Sequence, residues 1–535
     1  MERTRREVPM SRPSGEHARP LNRRTLLATG VGAAAALGAG TGSAATWHTG
    51  TRDRGNPFTL GVASGDPTPD GFVLWTRLAH DPLAEDGRGA MPDRVIDVEW
   101  QVAEDERFRR VVRTGTTPAR PEGAHSVHVE TAGLEPGREY YYRFRVGRHT
   151  TETARTRTAP SPGTLHSPLT LCTASCAAWE HGFFTAYRRI AEEEPDLVLH
   201  LGDYIYELGH LQYPVLSGIA RPVAGGQART LAEYRQRYAQ YRTDPDLQLA
   251  HRTAPWVVVW DDHELDNNWA GDDPELPQPD FGARRAASFR AYYENMPLRS
   301  SSRPRGGDMR LYRRIRWGGL ANFHMLDTRQ YRDDQTCGGL VGPCGLEDDP
   351  DRSITGREQE EWLLNNLRAS TARWDFLGQQ VMFAHHDTLG GPLTMTSMDT
   401  WDGYTASRRR ITEGWISAGV RNPVVLTGDI HEHYAAELKT DYSDPDSPPV
   451  GTELVTTSVT SGGDADPDEF TGDPDNPHIR FHSGMRGYLR TRVEAERVTA
   501  DFRVLPYVSR EGAPVSTKAS LTIEDGVPGF RGTDG

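Results

Sequence analysis

Lysine is nearly missing from this chain of 535 residues: of 61 basic side chains only Lys439 and Lys518 are lysines. The arginines that make up the rest are scattered, with no basic tract in the body of the chain. Binding of duplex nucleic acid, which needs clustered cations against phosphate, is therefore not expected. Cysteine is scarce too, with 4 in all, so the fold does not rest on a disulfide framework. No apolar run approaches the roughly 20 residues that cross a bilayer, and no internal repeat shows. What is present is ordinary for a globular protein: 36% hydrophobic, 25% charged and a formal net charge of −14, over a length that suits two or three domains.

The first 45 residues stand apart. Seven arginines face three glutamates there, a net of +4, which leaves −14 − 4 = −18 on the remainder. Asn22-Arg23-Arg24-Thr25-Leu26-Leu27 precedes a weakly apolar Ala/Gly run ending at Gly40, then the small residues Gly42-Ser43-Ala44-Ala45. This is the pattern of a twin-arginine signal peptide over 1–45, read by a translocase that moves folded proteins. It predicts a secreted protein, extracellular or in the cell envelope, with the twin-arginine translocase as its partner during export. Stable membrane insertion is not expected, because the Ala/Gly run is too short and too polar to span about 30 Å of hydrocarbon. Folded export also allows a cofactor to be loaded first.

Two grammars follow. Between 57 and 160, period-two runs alternate with Gly/Pro/Asp turns, and 58–64, 71–77, 95–102 and 140–146 read as strands. Leu134-Glu-Pro-Gly-Arg-Glu-Tyr140 resembles the turn before a late strand of a fibronectin III sandwich, where a tyrosine hydroxyl ties back to the loop. Between 165 and 520, strands at 169–174, 196–201, 256–260, 320–326, 374–383 and 423–427 alternate with helices at 181–194, 231–242 and 355–369. Thr355 and Glu358 have the spacing of a capping box for the last helix. The expected fold is an all-β fibronectin III-like domain followed by a layered α/β sandwich, with ligand groups at the strand ends. Cys172 reads as a core thiol, and Cys337 and Cys344 flank a Gly/Pro loop suited to a short disulfide outside the cell.

Four strand ends carry chemistry: Ser175-Cys176, Gly202-Asp203-Tyr204-Ile205-Tyr206-Glu207, Asp261-Asp262-His263-Glu264 and Gly428-Asp429-Ile430-His431-Glu432-His433. Convergence of these segments on one rim suits a two-metal hydrolase, in which carboxylate and imidazole ligands clamp a phosphoryl group. A phenolate at Tyr206 needs a strongly Lewis-acidic ion to hold it deprotonated, which argues for Fe(3+). Asp266, Asn267 and Asn268 supply further oxygen donors just after the third of these segments. His431 and His433 project to one side if the chain stays extended.

The motifs resemble those of the metallophosphoesterase superfamily, and more closely the PhoD-like alkaline phosphatase/phosphodiesterase family with its Asp-Asp-His-Glu variant. The resemblance runs from about Phe58 to Leu505. It implies that Asp203 bridges two metals, that Cys176, Tyr206 and His433 join it on iron, and that Asp262 and His431 hold the second ion, for which a carboxylate at Asp262 where the superfamily has asparagine favours Ca(2+), with Asn268 a candidate additional ligand. It makes His263 the phosphate-facing catalytic residue beside Asp203. It implies a phosphate ester substrate, mono- or diester, attacked at alkaline pH by a metal-bound hydroxide, in the service of phosphate scavenging. His385 and His386 both offer the lone histidine such sites use, without a choice between them, and Arg329 and Arg408 are candidates for a phosphate clamp. A purple acid phosphatase shares the Asp-x-x-Tyr spacing but not Cys176 or the Asp-Asp-His-Glu string. A non-catalytic surface-binding protein leaves the ligand set without a purpose.

Overall fold

Pro255–Val258 and Pro423–Thr427 carry almost only apolar side chains on both faces, as a strand covered from both sides does, and every residue of both is buried. The computed structural model describes residues 55–213, 215, 218–339, 342 and 345–533; the expected signal peptide and Cys344 lie outside them. Each of the two strands sits in the middle of a separate sheet. The first sheet has ten strands, and its central Leu169–Ala174, Leu197–His200, Pro255–Val258 and Val62–Thr68 run parallel. The second has seven, with Ala321–Met325, Trp374–Gly378, Pro423–Thr427 and Pro449–Val455 parallel at its centre.

Alternation along the strands decides which way each side chain packs. Leu199, Leu201, Phe323, Phe376 and Leu426 fill the space between the sheets. On the other face of the first sheet, His200 meets Tyr187 of the helix Thr185–Glu192, Nε2 to hydroxyl at 2.9 Å. The outer face of the second sheet, Leu377 and Val425, packs on Leu363 and Leu367 of Arg357–Arg368 and on Ile411 and Trp415 of Thr405–Ser417. The layers are helix, sheet, sheet, helix.

The region before residue 160 supplies strands to two sheets. Val62–Thr68, Gly71–Arg77 and Ser126–Glu130 extend the ten-stranded sheet, Ser64 lying opposite Pro255. Ile96–Ala103, Val111–Ala119, Glu139–Val146, His149–Thr150 and Ala154–Arg157 form another sheet. Phe72, Leu74, Val98, Tyr142 and Phe144 make the core of this region. Glu135 donates its backbone N–H to the Tyr140 hydroxyl at 2.9 Å, so the tyrosine tie is present. The first strand starts at Val62 rather than Phe58, after a left-handed Gly61 at φ +71°. The capping box forms at Thr230 and Glu233 of Leu231–Arg242, not at Thr355. The 357–368 helix starts instead behind a left-handed Gly356, where a Cβ would sit 2.8 Å from that of Tyr331. Cys337 is disulfide-bonded. Among the described residues no helix is long and apolar enough to cross a membrane.

Candidate metal centre

The carboxyl ends of strands from both sheets meet at one place, and the turns there are sharp. Cys176, Asp203, Asp429 and His431 all have φ between +53° and +64°. The left-handed region costs a non-glycine residue about 1 kcal/mol or more, and such strain gathers at functional sites. Gly202, at φ +115°, is needed twice over: its backbone is out of reach for L side chains, and a Cβ would lie 2.4 Å from that of Asp261. Two ligand-bearing loops are pressed together there. Gly202→Ala is therefore expected to destabilise the protein by about 2–4 kcal/mol, read as a lowered midpoint in urea with accompanying loss of activity.

Three overlapping donor groups result: Cys176 with Asp203 and His431; Asp203 with Asp262 and His263; and Asp261 with Asp262 and Asp429. Within each, the ligand atoms lie within 4.8 Å of one another. Asp203 is common to the first two and Asp262 to the last two, so the groups form a chain. The Tyr206 hydroxyl joins it, donating to Asp203 Oδ2 at 2.8 Å, lying 3.1 Å from His431 Nε2 and accepting from Ser461 Oγ at 2.7 Å. His263 donates its backbone N–H to Asp203 Oδ1, stacks on Tyr206 with centroids 4.1 Å apart, and sets Nδ1 2.8 Å from Glu207 Oε2. Glu264 binds the loops together by accepting the backbone N–H groups of Asp203 at 3.0 Å and Asp261 at 2.8 Å. Arg329, fully buried, donates to Asp261 at 2.5 Å and Asp399 at 2.8 Å, with Asp262 and Asp429 3.8 and 3.9 Å away.

This much negative charge against Arg329, with Arg332 pairing with Asp399 at 2.7 Å, leaves a deficit of cation. Burial, then the neighbouring Asp262, drives Asp203 well above the carboxylate range, and burial with Asp261 does the same to Asp429. Burial and Asp203 push up both the Cys176 thiol and the Tyr206 phenol. Burial alone would depress His263, but Asp262, Glu207 and Asp203 outweigh it and raise it well above the imidazole range. His431 falls to about 3 through burial, with Arg486 adding to the effect. Asp261 Oδ2, Asp262 Oδ1 and Glu207 Oε1 are buried with no hydrogen-bond partner among the described residues. Orphaned carboxylate oxygens in a buried site are costly unless an ion meets them. Sulfur, phenol, imidazole and carboxylate donors together fit polyvalent cations.

Cys176, Asp203, Tyr206, Asp262, His263 and His431 are all brought together, but two expected ligands are not. His433 stands away from the donor groups: its Nδ1 accepts the Thr457 N–H at 3.2 Å and its ring meets Phe502 edge-on. His431 takes the place beside Cys176, Asp203 and Tyr206 that was expected for His433. The chain turns at His431 and the strand starts only at His433, so the two histidines do not share an extended segment. Asn268 turns its side-chain amide to Glu275 at 3.2 Å, while its backbone N–H holds Asp262 Oδ2 at 2.8 Å. His385 and His386 both bind Asp402, at 3.1 Å through Nδ1 and at 2.9 Å through the backbone. Arg408 also binds Asp402, at 2.8 Å, rather than reaching the centre. Asp429 was missed although Gly428-Asp429 repeats the Gly202-Asp203 pattern. Asp261, Glu207 and Ser461 were missed as well, and for Ser461 no sequence signal exists.

The PhoD-like phosphatase family matches residues 171–502, and the N-terminal domain of PhoD-like phosphatases matches 42–160. Alkaline phosphatase D of Bacillus subtilis (strain 168) is 48% identical over 483 residues, 89% of this chain and 82% of that protein. A solved structure titled "Structure of PhoD" superposes with a TM-score of 0.86 at 48% identity, over 90% of this chain and 92% of the other.

Proposed function

The chain belongs to the PhoD-like phosphatase family and is a phosphoric ester hydrolase, and on that premise we propose that the donor chain is its catalytic centre. The observation that carries the reading is the buried run of carboxylates with orphaned oxygens at the meeting of the two sheets. Cys176, Asp203, Tyr206 and His431 would hold Fe(3+); Asp203, Asp262 and Asp429 would hold Ca(2+), with Asp261 beside them. Ions held there would supply Lewis acidity toward the phosphoryl oxygens and would lower the pKa of the attacking water. The substrates are phosphate mono- and diesters, attacked by hydroxide in line with the leaving group. The region 57–160 serves as an N-terminal domain and 165–520 as the catalytic one. Export by the twin-arginine translocase to the cell exterior, for phosphate scavenging, follows from the segment 1–45.

The chain's own residues have separable tasks. Glu207 holds His263 Nδ1, which leaves Nε2 to hydrogen-bond a phosphoryl oxygen or to protonate the departing alkoxide. Ser461 fixes the Tyr206 oxygen between Asp203 and His431. Tyr206→Phe is expected to abolish a visible charge-transfer band of protein exported by its own host and to lower its iron content, measured by absorption and elemental analysis. A colourless, iron-free and fully active wild type would remove the iron assignment.

A further inference from the structure

The edge strand of the second sheet, Arg313–Trp317, borders a cavity of about 360 Å³ that shares no residue with the donor groups. Ser301, Ser302, Arg310, Tyr312, Arg314 and Trp362 line it. Most buried arginines here are matched to acids, and the neighbouring Arg313 forks onto Asp66 Oδ1 at 2.8 and 2.9 Å. Among the described residues Arg310 and Arg314 pair with no carboxylate. Arg314 is partly buried, and that burial with Arg316 beside it outweighs the attraction of Asp375, so its charge is harder to hold. An anion between the two guanidiniums would relieve that.

The cavity also has a flat wall. The Arg310 guanidinium lies over the Tyr312 ring, 4.6 Å from its centroid, and Tyr312 packs against Trp362 at 5.1 Å. The Tyr312 hydroxyl is tied to Glu358 at 3.0 Å, which fixes the ring. Guanidinium pairs recognise phosphate, and indole and guanidinium planes accept stacked rings. The volume is that of a small-ligand site.

We propose that this cavity binds a phosphate carried on a flat ring, as in a nucleoside monophosphate, at a site separate from the metal centre. The phosphate sits between Arg310 and Arg314, and the ring lies on Trp362. The test is calorimetric titration of a non-hydrolysable phosphonate analogue of AMP into the full-length protein. Two binding events are expected in the wild type, with one removed in Arg310→Ala and in Arg314→Ala while kcat/KM on p-nitrophenyl phosphate stays unchanged. Adenosine, lacking the anion, should bind the same site about tenfold or more weakly. A single event in the wild type, or Arg310→Ala and Arg314→Ala isotherms that match it, overturns the proposal. Should Arg314→Ala melt early, Arg310→Ala, which alters an exposed side chain, decides alone. The other event belongs to the metal centre and is the one that Asp203→Asn should weaken, so the two readings fail separately.

Discussion

Asp203→Asn lowers kcat on p-nitrophenyl phosphate by about a thousandfold or more, since loss of ion-based charge stabilisation removes several kcal/mol from the transition state. The same variant stays folded. Asp203 is shared by the first two donor groups, as Asp262 is by the last two, and accepts from both Tyr206 and the His263 backbone, which places it to bridge ions on the proposed reading. An amide keeps the shape: its oxygen can accept the His263 N–H, and its NH2 can donate to the Tyr206 hydroxyl, which is free to turn its own proton to His431 Nε2. Burial and Asp262 make the carboxylate itself unwelcome without cations, so a neutral amide does not harm the ion-free fold. Chelation should therefore lower the thermal midpoint of the wild type and leave that of Asp203→Asn nearly unmoved. Wild-type turnover in the variant would remove the bridging role, and unfolding of the variant with its ions absent would remove the electrostatic argument.

Arg329→Ala is expected to cost about 3–5 kcal/mol of stability, the usual result of stripping the partner from buried charges. The side chain is fully buried, bonds Asp261 and Asp399, and faces Asp262 and Asp429. Arg329→Lys should recover little, because one ammonium cannot fork between Asp261 and Asp399 as a guanidinium does. The pH dependence gives a second check. Burial would raise Asp399, but Arg329 and Arg332 outweigh it and hold it below the usual carboxylate range. A depressed folded-state value contributes stability above the unfolded value, near pH 4, that fades as the pH falls further. In Arg329→Ala this acid-side slope should flatten in urea titrations between about pH 5 and 2. A variant as stable as the wild type, with the same slope, would show that Arg329 does not neutralise the centre.

Strand chemistry was readable from local pattern wherever a segment's neighbours left only one solution. Gly71–Arg77, Leu231–Arg242 and Pro423–Thr427 lie where alternation, helical spacing and an apolar run put them. Thr355 misled because a capping box is only a spacing, and the close approach of Gly356 to Tyr331 took precedence. His433 misled because same-side projection assumes an extended chain, whereas His431 is left-handed. Arg329 could not be singled out in so arginine-rich a chain; only its burial among four acids distinguishes it.

By itself, then, the order of residues carried the strand-end motifs by which the chain resembles its family, and the layered α/β class, because motifs and periodicity are local properties. Which histidine stands beside Cys176, which carboxylates crowd into one pocket and which arginine faces them were decided by tertiary structure alone. Those facts depend on turn handedness and on contacts such as Cys176 with Asp429, 253 residues apart, and distance along a chain carries no information about charge shared across a fold.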